Sequence, residues 1–268
     1  MHHSTYLWTK LGARLQLISS SEGKNLNWIF LPGGPGLGSE VLTPLTSLLK
    51  LPGTVWHLDL PGDGSNLQGS IKNWKQALLE AVQSLENVIL VGHSRGGMFA
   101  LATPELQHLL KGLVLLDAAP DRTWKAHFAG LIQTLAKMKR YEVAYSKKPS
   151  NSSLKNFVLS GAPYMFAKEH LKQGILTLKN LPYNYKAIQW AETHFDKTYQ
   201  AQWVPKLLTL ILSGENDLAT PLHLFQNKKF QRSNIFMKEI KHAGHFPWIE
   251  NPAAVVAAFN AFRTQNSL

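Results

Sequence analysis

The feature that most constrains this chain is a short passage in which an apolar run ends and a helical pattern starts with almost nothing between them. Residues 88–91 (Val-Ile-Leu-Val) lead straight into Gly92-His93-Ser94-Arg95-Gly96-Gly97, and apolar residues at helical spacing follow over 96–110. A short, continuous apolar run of this kind reads as a buried strand. Turning so sharply from strand to helix puts Ser94 in a strained backbone conformation, and side chains at Gly92 and Gly96 would collide with neighbouring backbone. The G-x-S-x-G pentapeptide alone is an ordinary glycine-rich loop; the strand before it and the helix after it give it meaning. On such a turn the Ser94 hydroxyl projects from the carboxyl edge of a sheet, and the helix N-terminus behind it favours developing negative charge.

The rest of the chain supplies the sheet that this turn needs. Apolar, β-rich runs at 15–18, 28–31, 55–58 and 113–116 alternate with helical patterns at 39–50 and 71–85. Pro104 is expected to end or kink the helix over 96–110 near Thr103. Strand patterns resume at 207–212 and 235–240, and 252–263 reads as a closing helix. Alternation of this kind predicts an α/β fold, a mostly parallel sheet with helices on both faces. From 121 to 202 the strand signal disappears and helical patterns rich in aromatics take over, among them Trp124, Phe128, Phe157, Phe166, Tyr183 and Trp190. The expected organisation is therefore one core domain formed by 1–120 and 203–268, with 121–202 inserted as a helical lid. In a chain of 268 residues, 44% hydrophobic and 17% charged, such a core is well supplied.

A formal net charge of +11 raises the question of an anionic partner. Between 121 and 200 there are 13 Lys and Arg against 5 Asp and Glu, so most of the excess sits in the middle segment. No basic run is interleaved with aromatics in the manner of a nucleic-acid module, and the charge reads as a solvated face with no nucleic-acid partner. No apolar run approaches the roughly 20 residues of a membrane span, and 1–10 lacks a basic-then-apolar targeting pattern, so the expected location is cytoplasmic. With no cysteine, thiol nucleophiles, disulfides and thiolate metal sites are excluded. His2 and His3 are read neither as a metal site nor as a tag remnant.

A serine hydroxyl is a poor nucleophile without a base. The loop after 235–240, His242-Ala243-Gly244-His245-Phe246-Pro247, offers two histidines at the carboxyl end of a strand. His245 is taken as the base, with glycine before it, phenylalanine after it and Asn251-Pro252 opening the last helix; His242 is read as a structural loop residue. A neutral imidazole needs an acceptor on its other nitrogen to hold the tautomer. Asp217 suits this role, because 213–221 is a polar turn following the strand at 207–212. Asp117, at the end of 113–116, is the second candidate and Glu215 the third. An oxyanion needs two N–H donors, assigned here to Gly34, in the glycine-rich segment Leu31-Pro32-Gly33-Gly34-Pro35-Gly36, and to Arg95. That segment carries neither phosphate-binding glycine fingerprint.

Taken together, these residues resemble the α/β-hydrolase family over essentially the whole chain. Gly33-Gly34-Pro35-Gly36 is similar to the family's oxyanion loop, Asp59-Leu60-Pro61-Gly62-Asp63-Gly64-Ser65 to its turn after the next strand, and Gly92 to Gly97 to its nucleophile elbow. Ser94, Asp217 and His245 follow the family's chain order; some members take the acid from the position of Asp117. The glycine and proline loop is similar to that of proline iminopeptidases, though Pro32 stands where that group usually has histidine and no tryptophan follows the serine. The resemblance implies a serine hydrolase that cleaves an ester or related acyl bond of a small-molecule substrate through an acyl-enzyme on Ser94, with no cofactor. Alternatives on the same triad are an aminopeptidase or amidase and a carbon–carbon bond hydrolase; a different class is a non-catalytic receptor for a small ligand. Arg95 either meets an acidic substrate or is paired structurally. Oligomeric state is not legible.

Overall fold

The computed structural model describes residues 5–265 except Gly23, Pro35 and Leu135. His2, His3 and the proline of the glycine-rich loop therefore lie outside the described residues. Eight strands form one sheet: β1 (Tyr6–Trp8), β2 (Arg14–Ser20), β3 (Asn27–Leu31), β4 (Thr54–Asp59), β5 (Val88–His93), β6 (Leu110–Leu116), β7 (Thr209–Gly214) and β8 (Ile235–Ile240), in the order β1-β2-β4-β3-β5-β6-β7-β8. The β1–β2 and β2–β4 pairs are antiparallel and all others parallel. The mostly parallel α/β sheet expected from the alternating pattern is the sheet that forms.

Alternation along the central strands fills both faces. In β5 and β6, Ile89, Val91, Val114 and Leu116 point to one side, where Leu45 of α1 (Thr43–Leu48) and Phe259 pack. Val88, Leu90, Leu113 and Leu115 point to the other, against Leu78 of α2 (Trp74–Gln83) and Phe99 of α3 (Arg95–Leu101). Strands buried on both faces must be apolar at every position, which is why they read as continuous runs. Where structure departs from pattern, local chemistry explains it. Ser39–Leu42 and Ile71–Asn73 are single 3₁₀ turns leading into α1 and α2. The third helix stops at Leu101, and Pro104 opens a separate 3₁₀ turn over Pro104–His108, as a residue without an N–H must. β1 has no sequence signal: its three residues are exposed on the sheet edge, and pairing with Arg14 to Gln16 alone makes it a strand.

Between β6 and β7 the chain is helical: α4 (Trp124–Thr134), α5 (Ala136–Lys147), α6 (Asn151–Met165), α7 (Leu171–Lys179), α8 (Tyr185–Trp190), a π-turn at Ala191–Phe195 and α9 (Asp196–Thr198). An antiparallel bridge between Asp121 and Gln200 brings the two ends of this segment together. Two helices close the chain, α10 (Pro247–Glu250) and α11 (Pro252–Gln265). Among the described residues no helix is long and apolar enough to cross a membrane.

Two buried histidines tie the fold to pH. His57 in β4, its Nε2 3.1 Å from Thr46 Oγ1, is lowered by burial to about 4, and burial lowers His93 to about 3. A depressed folded value means that the unfolded chain takes the proton first, so each histidine removes stability as pH falls from about 6.5, by at most about 1.4 kcal/mol per unit. Asp63, raised to about 8 by burial and by neighbouring Asp59, acts with the opposite sign, so a single-site comparison isolates the effect. Denaturant unfolding at pH 6.5 and at pH 4.5 is expected to show a smaller loss of stability in His57→Gln than in wild type. Equal losses would remove His57 from the account.

Candidate functional site

Ser94 sits between β5 and α3 with φ 52° and ψ −124°, a strained conformation for a residue with a side chain. What holds it there is close approach of backbone. A Cβ on Gly92 would lie 2.7 Å from Cα of Gly97, and one on Gly96 would lie 2.5 Å from the carbonyl oxygens of Leu31 and Pro32. Both glycines thus meet the crowding that the sequence implies. The Ser94 N–H donates to the Leu116 carbonyl at 2.8 Å, which fastens the turn to β6.

Three strand ends converge on this serine. His245, in the loop after β8, has Nε2 3.2 Å from Ser94 Oγ and Nδ1 3.0 Å from Asp217 Oδ2. Asp217, in the turn after β7, is fully enclosed, and its Oδ1 accepts from the N–H groups of Ala219 (2.8 Å) and Thr220 (3.1 Å). Burial alone would raise its carboxyl, but His245 facing it and hydrogen bonds from His245 and Thr220 hold it below the usual carboxylate range. Thr220, whose hydroxyl lies 2.8 Å from Asp217 Oδ2 and 2.7 Å from the Asp117 carbonyl oxygen, was not singled out from the sequence. The local signal was the aspartate itself: in a turn its carboxylate accepts from the backbone two residues on, here Ala219, which folds the next residue, Thr220, back toward it.

The other candidates separate clearly. His242 is exposed at φ 56°, its N–H donating to Glu215 Oε2, and Glu215 is itself exposed and paired with Lys241 at 2.9 Å. Asp117 lies beside the constellation. Its Oδ1 accepts from the Gly214 N–H at 2.9 Å, and burial together with the charge of Asp217 pushes its carboxyl well above the usual range. Asp117, Asp217 and His245 are the one group among the described residues with candidate metal-ligand atoms within 4.8 Å of one another. With one carboxyl driven toward its neutral form and Nδ1 turned to Asp217, this donor set suits proton handling better than cation binding.

A cavity of about 140 Å³ opens above Ser94 and His245, lined also by Gly34, Arg95, Leu154, Phe157 and Ile188. The Arg95 N–H is at the first position of α3, one of the donors a helix leaves unpaired. The Gly34 N–H has no acceptor among the described residues. The loop carrying it is braced from behind, where Asp63 Oδ1 accepts from the N–H groups of Gly36 (2.6 Å) and Gly38 (3.1 Å) and Asp59 Oδ1 accepts from that of Ser39 (2.7 Å). Of the helical segment's aromatics, Trp124, Phe128 and Phe157 reach the cavity, while Phe166 and Tyr183 are buried in the packing around it.

The Arg95 side chain is committed elsewhere. Its Nε and Nη2 donate to both carboxylate oxygens of Asp196 at 3.0 and 2.7 Å, its Nη1 donates to the Gly34 carbonyl at 2.6 Å, and the guanidinium stands 5.1 Å from the Trp124 ring centroid. Of the two roles open from the sequence, structural pairing is the one the geometry has. Asp196, fully buried on α9, was invisible beforehand, because nothing local marks the partner of an arginine 101 residues away. Breaking a buried pair leaves an uncompensated charge, so Asp196→Asn is expected to lower unfolding stability by about 3 kcal/mol in urea titrations. A change under about 0.5 kcal/mol would show that another group takes up the charge.

The model of the "Alpha/beta hydrolase family" matches residues 28–258. Solved structures with the same fold include a proline iminopeptidase-related protein from Thermus thermophilus, 17% identical with a TM-score of 0.68 over 98% of each chain. A thermophilic esterase from Thermogutta terrifontis is 17% identical with a TM-score of 0.70, over 99% of this chain and 100% of that one. An esterase from Exiguobacterium antarcticum is 20% identical with a TM-score of 0.70, over 98% and 100%. No curated protein matches the sequence.

Proposed function

The chain belongs to the alpha/beta hydrolase family, and from that premise we propose that it is a serine hydrolase acting on a small acyl substrate through Ser94, His245 and Asp217. The observation that carries this reading is one continuous line of contacts, Ser94 Oγ to His245 Nε2 at 3.2 Å and His245 Nδ1 to Asp217 Oδ2 at 3.0 Å, at the floor of a cavity. In the proposed reaction Ser94 Oγ attacks the acyl carbonyl while His245 Nε2 takes its proton. Asp217 holds the Nδ1–H tautomer and stabilises the imidazolium. The N–H groups of Gly34 and Arg95 receive the oxyanion. His245 then gives the proton to the leaving group, and water repeats the cycle on the acyl-enzyme.

The cavity argues for a small acyl group: about 140 Å³ is of the order that holds one benzene-sized body. The helical segment 121–202 is proposed as a lid, since it supplies much of the cavity's apolar wall. Esters are the first substrates to test, in line with the esterases among the structural neighbours. Wild type is expected to turn over short-chain p-nitrophenyl esters, and Ser94→Ala to lose at least about 10⁴-fold in kcat. Undiminished turnover in the mutant would refute the assignment.

One observation favours an amine-bearing acyl group as a second reading. The half-buried Glu192 side chain, in the π-turn, lines the cavity and accepts no hydrogen bond among the described residues, its cationic neighbours being Arg95 and Lys125. Burial pushes its carboxyl up, while the charge of Arg95, already satisfied by Asp196, draws it down. A substrate ammonium would provide the missing partner. On this reading Glu192→Gln lowers kcat/KM for alanine p-nitroanilide by roughly tenfold or more relative to p-nitrophenyl acetate. An unchanged ratio would eliminate the amine subsite.

A further inference from the structure

Apart from the line through Ser94, the histidine loop is stitched to the helical segment at a second place. The Glu250 side chain, on α10 and 7% exposed, accepts from two backbone N–H groups that belong to different parts of the fold. Its Oε2 accepts from Gly244, the residue before His245, at 2.7 Å, and its Oε1 accepts from Ala167, just beyond the end of α6, also at 2.7 Å. Alongside, the His245 N–H donates to the Met165 carbonyl at 3.0 Å, and the Phe166 ring stacks on that of Phe246 at 4.9 Å and 12°. Contact there is backbone on backbone: a Cβ on Gly244 would lie 2.6 Å from the Met165 carbonyl oxygen. Met165 itself lines the cavity.

We propose that Glu250 is a positioning residue that makes the placement of His245 and the closed position of the α6 end a single structural variable. The inference rests on the reading of His245 as the base. Without Glu250 the buried Gly244 N–H and the half-buried Ala167 N–H would both lose their acceptor, and a carboxylate offers an oxygen to each at once. Because 165–167 and 244–246 face each other through Glu250, one backbone hydrogen bond and one ring stack, displacing either segment displaces the other. An imidazole moved by an ångström from its hydrogen-bonding position loses about 10²-fold in rate. Glu250 touches neither Ser94 nor the cavity; it acts through the loop.

The discriminating variant is Glu250→Gln, which keeps the shape but turns an NH₂ group toward one of the two N–H donors. Two readouts are taken on the whole chain: amide hydrogen exchange at Ala167, Gly244 and His245, and kcat and KM for p-nitrophenyl acetate per fluorophosphonate-labelled site. The expected result is faster exchange at all three amides, including His245, whose own acceptor is untouched, with kcat down tenfold or more and KM within about twofold. A merely structural stitch would lower the melting temperature and leave kcat per labelled site and His245 exchange at wild-type values, and that result overturns the proposal. Should Glu250→Gln fail to fold, Glu250→Asp, one methylene too short to reach both donors, carries the same comparison. Wild-type silence toward the ester, or a Ser94→Ala chain of full activity, would strike the serine-hydrolase reading instead, and exchange at His245 would still decide the coupling.

Discussion

The approach of α3 to the ends of β3 and β5 is the constraint from which the rest of the site follows. Glycine at 96 lets the helix backbone come within van der Waals reach of the Leu31 and Pro32 carbonyls, glycine at 92 lets the end of β5 lie against Gly96 and Gly97, and the chain makes that turn with Ser94 at positive φ. The strain is local and its consequences are not. It aims Oγ away from the sheet edge, leaves the first N–H of α3 without an intrahelical acceptor, and puts the loop after β3 directly beneath the nucleophile candidate. The parallel sheet does the remainder. Parallel neighbours end on the same edge, so the residues that follow β5, β7 and β8 are brought together although they are up to 151 residues apart in the chain.

That dependence explains what could be read from the sequence. Buried parallel strands are continuous apolar runs, and the loops at their carboxyl ends carry the polar residues, so Ser94, Asp217 and His245 could be located by position as well as by type. Legibility stops where partners come from different parts of the chain. Asp196 is one acidic residue in a basic helical segment, and nothing near it announces that it neutralises Arg95. Glu250 looks like the solvent-facing end of a short helix, yet it is enclosed because α10 turns back onto the histidine loop. β1 is a strand by pairing alone, and the break after Leu101 was legible because proline carries its own geometry. The sequence shows what each residue can do locally; it does not show which pairs long-range packing will form.

The two acids near His245 illustrate the same division. Both Asp117 and Asp217 follow strands, and position alone left both open. Asp217 receives two backbone N–H groups and the hydroxyl of Thr220 and faces the imidazole; Asp117 receives the Gly214 N–H and faces a neighbouring carboxylate. The facing imidazole and hydrogen bonding to the charged form draw one carboxyl down, while burial and repulsion by a like charge push the other up, so two identical side chains move in opposite directions. The donors around Asp217 favour its charged form, whereas burial, reinforced by the charge of Asp217, pushes the Asp117 carboxyl upward.

The helical segment is held to the core on both sides of Ser94. On one side Arg95 joins Asp196 to the Gly34 carbonyl, and through it the position of the loop bearing one proposed oxyanion donor. On the other, Glu250 joins the end of α6 to the residue before His245. Each tie links the segment to a different part of the proposed machinery, donor and base. Movement of the segment at either flank would therefore disturb one of them, and α4 is bound to the first tie through Trp124, whose ring centroid lies 5.1 Å from the Arg95 guanidinium.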